Sequence, residues 1–359
     1  MVAGKETRMP IQHSDRAASF DTGAAIAVVE EAMLRHLQRD APALAPLYGM
    51  MRYHLGWATA AFAPERANGG KRLRPLVCLL CCAAAGGDPA RAVPAAAAIE
   101  LVHNFTLVHD DIQDISAFRR HRRTVWSIWG LAQGINVGDG MHAIAHQALL
   151  GLRDHGVSAE DILDLMAGFD ATVLRICEGQ FLDIGFEGRW DITAADYLDM
   201  IGGKTAAIFA YAARAGALLA GVGAARVAAF ERFGTAIGLG FQVRDDLLGI
   251  WGDPAVTGKD AADDIRRRKK SLPIIMLHER ASEGDRRYLE SLYAGAEVAP
   301  DEIATVIQML DAAGVHNACQ ETVERYHMHA AALLNESRAV GPAAAALGSL
   351  VERMAARDA

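Results

Sequence analysis

The segment LVHNFTLVHDDIQDISAFRRHRRTVW, residues 101–126, combines an apolar run with dense charge of both signs. Asp110, Asp111 and Asp114 follow the apolar run, and four arginines lie within the next nine positions. On a helix, Asp110 and Asp114 share a face with Asp111 beside them, so the three carboxylates repel one another. The apolar residues 99–108 argue against a fully exposed helix. A divalent cation would offset the repulsion, and Mg²⁺ usually binds one or two carboxylates together with substrate phosphates.

A second acidic pair occurs 135 positions later in GFQVRDDLLGIWGD, where Asp245 and Asp246 again end an apolar run. Asp253 and Asp264 follow this pair. Two acidic helix faces would form a polar rim around one cavity. A metal-bridged diphosphate would bind at that rim, and its hydrocarbon would extend into the apolar interior.

Basic residues accompany both acidic clusters. Lys71 and Arg74 follow two glycines in GGKRLRP. Glycine lets the backbone approach an anion, and arginine matches phosphate oxygens with two donors. The other candidates for phosphate contact are Arg119, Arg120, Arg122, Arg123, Lys204, Lys259, Lys269 and Lys270. This grouping predicts a diphosphate site with acidic residues on one side and basic residues on the other.

The composition of the 359-residue chain favours a soluble, all-α protein with one helical domain over residues 21–359. Residues 1–20 are polar, lack the layout of a signal peptide, and predict a disordered leader. The net charge of −8 argues against nucleic acid as a partner, and we see no apolar run long enough to cross a bilayer. The five cysteines suggest buried thiols in a cytoplasmic protein.

Apolar periodicity predicts a series of helices separated by loops rich in Pro and Gly. The predicted helices span residues 22–63, 76–86, 92–118, 125–153, 158–184, 194–220, 224–250 and 301–312. Thr193 followed by Asp196 resembles a capping box at the start of one helix.

Seven motifs in order resemble the trans-isoprenyl diphosphate synthases, the short-chain polyprenyl synthetases, over about residues 25–335. They are GGKRLRP, LVHNFTLVHDDIQD, RRHRRT, GKT, GFQVRDD, TGKDAADD and KKSLP. The resemblance implies an all-helical bundle around a central cavity, usually a homodimer. It also implies condensation of isopentenyl diphosphate with an allylic diphosphate, with three Mg²⁺ ions per active site.

The resemblance assigns Asp110, Asp111 and Asp114 to the first aspartate motif, and Asp245 and Asp246 to the second. Both motifs bind Mg²⁺ in that family, and the first also binds the allylic diphosphate.

The resemblance assigns the isopentenyl diphosphate site to Lys71, Arg74 and His103. Arg119 is expected to face the allylic diphosphate and Arg120 the isopentenyl diphosphate. The remaining family positions, near the allylic diphosphate or the reacting carbons, are Lys204, Thr205, Gln242, Lys259 and Lys269.

The chain departs from the family pattern at three positions. The second motif, DDxxD, would need an acid at 249, where the chain has Gly249; His121 and Arg123 replace a glycine and a proline. Class I terpene cyclases share the fold and carry a different second motif, so a cyclase is one alternative. A non-catalytic subunit of a heteromeric synthase is another alternative, although such subunits tend to lose the first aspartate motif.

Product length is predicted from the residues just before the first aspartate motif. At 1.5 Å per residue, positions four and five residues earlier lie about 6–7.5 Å deeper along the helix. Thr106 leaves room there, and Phe105 is either a floor for the product or an ordinary ring of the core. In the family, this layout without an insertion in the first aspartate motif resembles that of C20 producers more than that of C15 producers. The resemblance therefore implies geranylgeranyl diphosphate (C20) as the product, with farnesyl diphosphate (C15) next.

Overall fold

The structure is a computed structural model that describes residues 19–253, 262–295 and 297–355. Its described part is largely helical, as the composition predicts. Lys259 and most of the expected leader, residues 1–20, lie outside the described residues.

Sixteen helices can be numbered in the described ranges. They are α1 (Thr22–His36), α2 (Ala45–His54), α3 (Leu73–Ala84), α4 (Val93–Gln113), α5 (Val125–Trp129), α6 (Leu131–Leu150), α7 (Ala159–Phe186), α8 (Ala194–Ile201), α9 (Ala207–Leu219), α10 (Ala224–Trp251), α11 (Asp263–Arg266), α12 (Leu272–Arg280), α13 (Glu283–Ala294), α14 (Pro300–Ala312), α15 (Val315–Glu336) and α16 (Gly341–Ala355). A hairpin of β1 (Phe118–Arg119) and β2 (Arg122–Arg123) follows α4. A π-helical segment, Gly202–Ala206, joins α8 to α9.

Three predicted helices are broken in the structure. The helix predicted over 22–63 ends at His36. Pro42 begins a short 3₁₀ turn before α2, and Ala41 before it is extended, because proline disfavours helix in the preceding residue. The helix predicted over 125–153 breaks at Gly130, whose φ of 90° suits glycine. The helix predicted over 194–220 contains the π-helical segment. The predicted capping box at Thr193 and Asp196 is confirmed.

Helix α4 runs through the centre of the molecule. Its first half is buried on every face: Ala95, Ala96, Ala97, Ala98 and Ile99 are each 0% exposed. A helix that is apolar on every face is stable only inside a core, so the first half of α4 is held in the interior. This placement fixes the position of the polar C-terminal end of α4. That end carries the first aspartate motif.

Two clusters of buried apolar side chains fill the interior. The larger one surrounds α4 and draws on α1–α3, α6, α7 and α9. The smaller one packs α8, the C-terminal half of α10 and α12–α15 against each other. In the described ranges, every helix is too short or too polar to cross a bilayer.

Candidate active site

A cavity of about 570 Å³ opens where the ends of α4, α7, α10 and the π-helical segment meet. The cavity brings together most of the site residues that the sequence predicts. Those that line it are Lys71, Arg74, His103, Thr106, Asp110, Arg119, Arg120, Lys204, Thr205, Gln242, Asp245 and Lys269.

The first aspartate motif is divided between two environments. Asp110 lines the cavity in the last turn of α4, and Asp114 lies exposed just beyond that helix. Asp111 is buried and accepts a hydrogen bond from Arg119 Nε at 2.7 Å. Burial raises the pKa of Asp111 to about 6, although Arg119 opposes the shift. The structure therefore places Asp111 as an anchor for Arg119 beside the cavity, whereas the sequence suggested three equivalent ligands.

Helix α7 contributes an acidic residue that sequence reasoning missed. Asp183 lines the cavity, and its Oδ2 lies 2.5 Å from Lys204 Nζ. Gln180, one turn earlier, also lines the cavity and donates to Gln113 at 2.9 Å. The available signal was two polar residues three positions apart in EGQFLDIGF. Asp183 adds a carboxylate opposite the end of α4.

The π-helical segment presents Lys204 and Thr205 to the cavity. Its backbone packs so closely on α7 that a Cβ on Gly179 would collide with the backbone nitrogen of Lys204. On the other side, a Cβ on Gly238 of α10 would lie 2.6 Å from the Cα of Ala206. Gly179 of α7 and Gly238 of α10 therefore make room for the π-helical segment between the two helices. Single π-helical turns of this kind are frequent at functional sites.

The second acidic pair is also divided. Asp245 is exposed and lines the cavity, whereas Asp246 is 1% exposed and does not. Asp246 Oδ2 accepts hydrogen bonds from the Tyr197 hydroxyl at 2.6 Å and the Leu272 amide at 3.4 Å. Its Oδ1 accepts from Gln242 Nε2 at 3.0 Å. Burial raises the pKa of Asp246 to about 6.

This arrangement changes what we expect of Asp246. The sequence suggested it as a metal ligand, but its oxygens face protein donors, so the structure favours a positioning role. Gln242 connects it to Thr205, whose hydroxyl donates to Gln242 Oε1 at 2.9 Å. Lys269 Nζ lies 4.0 Å from Asp246 Oδ1. Asp246 therefore orients residues that do line the cavity.

The opposite end of the cavity is basic. The Arg74 guanidinium lies 4.8 Å from the centre of the Phe209 ring. Burial, aided by Arg74 and Arg120, lowers the pKa of His103 well below its ordinary value, so His103 is neutral near pH 7. Glu100, also missed from the sequence, is 3% exposed and pairs with Arg72 Nη1 at 2.6 Å. This basic end suits a second diphosphate.

The hairpin after α4 separates the paired arginines. Arg120 and His121 both have positive φ, 51° and 62°, as a two-residue type I′ turn requires. This turn lets Arg119 reach Asp111 and sends Arg120 to the carbonyl of Gly69. The structure thus accommodates His121 where the family pattern has glycine.

Several basic residues singled out from the sequence lie outside the cavity. Arg122 anchors the hairpin by donating to the Ala58 carbonyl at 2.7 Å and to Glu65 at 3.0 Å. Lys270 lies 4.2 Å from the centre of the Trp190 ring and donates to the Phe186 carbonyl. Both have structural contacts that explain them without a ligand.

Thr106 and Phe105 occupy different sides of α4. Thr106 lines the cavity, where its neighbours include the apolar side chains of Leu107, Ile176 and Ile208. The Phe105 ring is not part of that lining and instead contacts His109 and His142, at centroid distances of 4.9 and 5.1 Å. The role of Phe105 in product length stays a prediction, while Thr106 lies where the prediction requires.

The acidic rim suits a hard cation. In the described ranges, no three His, Cys, Asp or Glu side chains are grouped closely enough to hold a metal ion unaided. The carboxylates of Asp110, Asp183 and Asp245 nevertheless face one cavity. Oxygen ligands of this kind suit Mg²⁺, which takes its remaining ligands from substrate phosphates and water.

Comparison with known proteins places the chain among enzymes of one kind. The family model described as Polyprenyl synthetase matches residues 57–310. The geranylgeranyl diphosphate synthase of Mycobacterium tuberculosis is 41% identical over 309 residues, 86% of this chain and 87% of that protein. A (2E,6E)-farnesyl diphosphate synthase of Mycobacterium bovis is 42% identical over 268 residues, 74% of this chain and 73% of that protein.

A solved structure agrees with these relatives. The geranylgeranyl pyrophosphate synthase of Corynebacterium glutamicum, complexed with isoprenyl diphosphate and magnesium, superposes with a TM-score of 0.81. The two are 27% identical, and the match covers 94% of this chain and 100% of that one.

Proposed function

The chain belongs to the polyprenyl synthetase family, and we propose that it is a short-chain trans-prenyltransferase that adds isopentenyl diphosphate to an allylic diphosphate. One observation carries the proposal: a single cavity has an acidic rim, a basic end and an apolar wall. An allylic diphosphate fits the acidic rim with its hydrocarbon along the wall. Isopentenyl diphosphate fits the basic end.

The side chains around the rim favour ionisation of the allylic carbon–oxygen bond. Bound Mg²⁺ supplies positive charge that stabilises the leaving diphosphate. Asp110, Asp114 and Asp245 would hold the metal, and Lys204 and Lys269 would contact the diphosphate oxygens directly. Fixed charges aimed at the departing group stabilise the transition state without reorganising.

The basic end positions the second substrate. Lys71, Arg74 and Arg120 would hold the diphosphate of isopentenyl diphosphate, with neutral His103 as a hydrogen-bonding partner. The double bond of isopentenyl diphosphate attacks the allylic cation and forms the new carbon–carbon bond. The condensed product then loses a proton to the released diphosphate. Thr205 and Gln242 place oxygen dipoles near the reacting carbons.

The preferred product is geranylgeranyl diphosphate, with farnesyl diphosphate next. The relatives that bear these two names support that order, and small Thr106 in the cavity wall supports room for the longer chain. Thr106→Phe should shorten the product. Phe105→Ala should lengthen it if the ring closes the cavity; an unchanged product would assign length control to the residues that line the wall.

We also propose a homodimer, because α6 and α7 leave apolar side chains exposed. Leu163, Leu174 and Phe181 of α7 are 67%, 61% and 77% exposed, and they follow one helical stripe. Phe181→Lys should reduce the mass measured by light scattering, whereas Met328→Lys, at an exposed residue of α15, should not.

We further propose that residues 21–359 form one domain and that the protein is cytoplasmic, where exposed Cys177 would stay reduced.

Purified protein should be incubated with Mg²⁺, isopentenyl diphosphate and, separately, dimethylallyl, geranyl and farnesyl diphosphates. Mass spectrometry should identify a longer prenyl diphosphate. Lys204→Ala should abolish this product and Lys270→Ala should retain it, because Lys204 lines the cavity and Lys270 does not. A cyclic hydrocarbon formed without consuming isopentenyl diphosphate would indicate a terpene cyclase, and no turnover of any pair would indicate a partner-dependent subunit.

A further inference from the structure

One arginine fastens the β1–β2 hairpin to the end of α2 and to the segment that follows it. Arg122 Nη2 donates to the Ala58 carbonyl at 2.7 Å and to Glu65 Oε2 at 3.0 Å. Arg122 Nη1 donates to the Tyr53 carbonyl at 3.2 Å, and the guanidinium carbon lies 4.2 Å from the centre of the Tyr53 ring. This single side chain therefore joins the hairpin to residues 53–65.

A second link between the same two parts of the chain comes from Tyr53. Its hydroxyl donates to the Arg123 carbonyl at 2.8 Å, and the residue is buried. The Trp129 ring of α5 packs edge-on against the Tyr53 ring, with 5.1 Å between the ring centroids. If the hairpin moved away, a buried hydroxyl would lose its partner, which costs free energy. The end of β2 is therefore fixed relative to α2.

The hairpin carries basic side chains that belong to both diphosphate sites. Arg119 and Arg120 leave it in different directions, and Arg120 donates to the Gly69 carbonyl. Gly69 comes two residues before Lys71, directly after the segment that Arg122 holds. The hairpin and the segment before Lys71 are thus joined at two places, once through Arg120 and once through Arg122.

We propose that Arg122 and Tyr53 are positioning residues, which fasten the hairpin to the segment before Lys71 so that the two parts hold their substrates as one unit. Neither residue lines the cavity, so both act through the basic side chains of the hairpin and through Lys71. The inference rests on the proposed function, which places Lys71 and Arg120 on isopentenyl diphosphate. Loosening the link should therefore weaken isopentenyl diphosphate most.

Hydrogen exchange of the full-length protein without substrate tests the link between the two parts. Both contain hydrogen-bonded backbone amides, such as those of Thr124 and Ala67. In Arg122→Gln, peptides from residues 117–124 and from residues 55–71 should both exchange about tenfold faster. That factor is about the lower end of what one hydrogen bond to a charged group contributes to a local equilibrium.

The matched control is Arg123→Gln, which removes the same charge from the same hairpin. The Arg123 side chain is exposed, lies outside the cavity and donates to the Ser127 carbonyl. Its substitution leaves the carbonyl that Tyr53 contacts in place. Exchange in both segments and the KM for both substrates should therefore match the wild type.

Steady-state kinetics measure the effect on the substrates. Arg122→Gln should raise the KM for isopentenyl diphosphate about tenfold. The KM for the allylic diphosphate should rise less, because Lys204 and Lys269 would hold that substrate from other parts of the chain. Tyr53→Phe keeps the ring and loses one neutral hydrogen bond, so the KM for isopentenyl diphosphate should rise about fivefold.

Arg122→Lys keeps the charge and loses the fork of donors, so its exchange rates and KM should lie between those of the wild type and Arg122→Gln. Thermal unfolding of each variant identifies losses that come from misfolding. The proposal is wrong if Arg122→Gln only lowers the unfolding temperature and keeps the wild-type KM, or if it behaves like Arg123→Gln. Faster exchange in residues 117–124 alone would also overturn it, because the two parts would then move independently.

Failure of the proposed function would appear separately. The wild-type protein would then form no prenyl product from any pair of substrates, while Arg122→Gln would still increase exchange in both segments.

Discussion

Replacing Tyr197 with Phe removes one hydroxyl from the buried network around Asp246. The Tyr197 hydroxyl donates to Asp246 Oδ2 at 2.6 Å, and both residues are 1% exposed. A hydrogen bond to a charged group contributes about 1.5–3 kcal/mol and a neutral one about 1 kcal/mol. The difference, about 1.3 kcal/mol, corresponds to about one pKa unit.

The pKa of Asp246 should therefore rise from about 6 to about 7 in Tyr197→Phe. The pKa in the fold already exceeds the ordinary value of 3.8, so ionised Asp246 costs stability. The stabilising contribution of protonated Asp246 is complete below the unfolded pKa and is lost as pH rises through the folded pKa. The variant should lose about 1 kcal/mol of unfolding free energy at pH 5 and about 2 kcal/mol at pH 8.5.

Denaturant unfolding at the two pH values measures the free energy of unfolding. The fall of kcat/KM at low pH, its acid limb, should move to higher pH by about one unit in Tyr197→Phe, because Asp246 then becomes protonated at higher pH. Tyr211→Phe is the matched control: its hydroxyl donates to the Leu165 carbonyl at 2.9 Å, in another buried environment. Tyr211→Phe should lose about 1 kcal/mol of unfolding free energy at both pH values, and its kcat/KM should fall at the same low pH as in the wild type. An unmoved limb in Tyr197→Phe, or a stability loss independent of pH, would refute the reasoning.

Three further results are expected. Gly179→Ala should cut turnover strongly, because the new methyl group would collide with the backbone of Lys204. Gly185→Ala of the same helix should not, because its methyl group would contact nothing. Equal turnover of the two variants would show that the close contact at Gly179 does not position Lys204. Arg119→Gln should destabilise the protein by about 3 kcal/mol at pH 8 and little at pH 5, since buried Asp111 loses its counter-charge and its pKa, already about 6, rises further; denaturant unfolding showing a flat pH response would contradict this. Chelation of Mg²⁺ should stop turnover and leave the circular dichroism spectrum unchanged, and Mg²⁺ with inorganic diphosphate at 100 times Kd should stabilise the protein by about 2.7 kcal/mol, with Mg²⁺ alone having little effect.

Local rules predicted much of the fold. The capping box at Thr193 depends on residues three apart, and the buried helix α4 depends on a continuous apolar run, so both could be derived from the sequence. The break at Gly130 and the π-helical segment could not, because apolar periodicity continues across them and tertiary packing decides where the chain turns. The resemblance, and the charged residues beside the apolar runs, located most of the charged side chains that line the cavity.

Side-chain direction was harder to predict than position. Asp111 and Asp246 belong to the predicted motifs, yet Asp111 pairs with Arg119, Asp246 accepts from three protein donors, and neither lines the cavity. Asp183 and Glu100 went unnoticed because single acids in apolar helices resemble surface charges until the facing helix brings Lys204 or Arg72 to them. Such pairings depend on packing between segments far apart in sequence.

The π-helical segment Gly202–Ala206 also fixes the angular phase between α8 and α9. One residue of an α-helix turns the chain by about 100°, so one residue more or less in this segment would rotate all of α9 about its axis. Most of α9 is buried, including Phe209 under the Arg74 guanidinium, and such a rotation would carry those side chains out of the core. Deletion of Gly202, unlike deletion of a residue in a surface loop, would therefore disturb both proposed diphosphate sites at once while leaving every proposed catalytic side chain in the sequence.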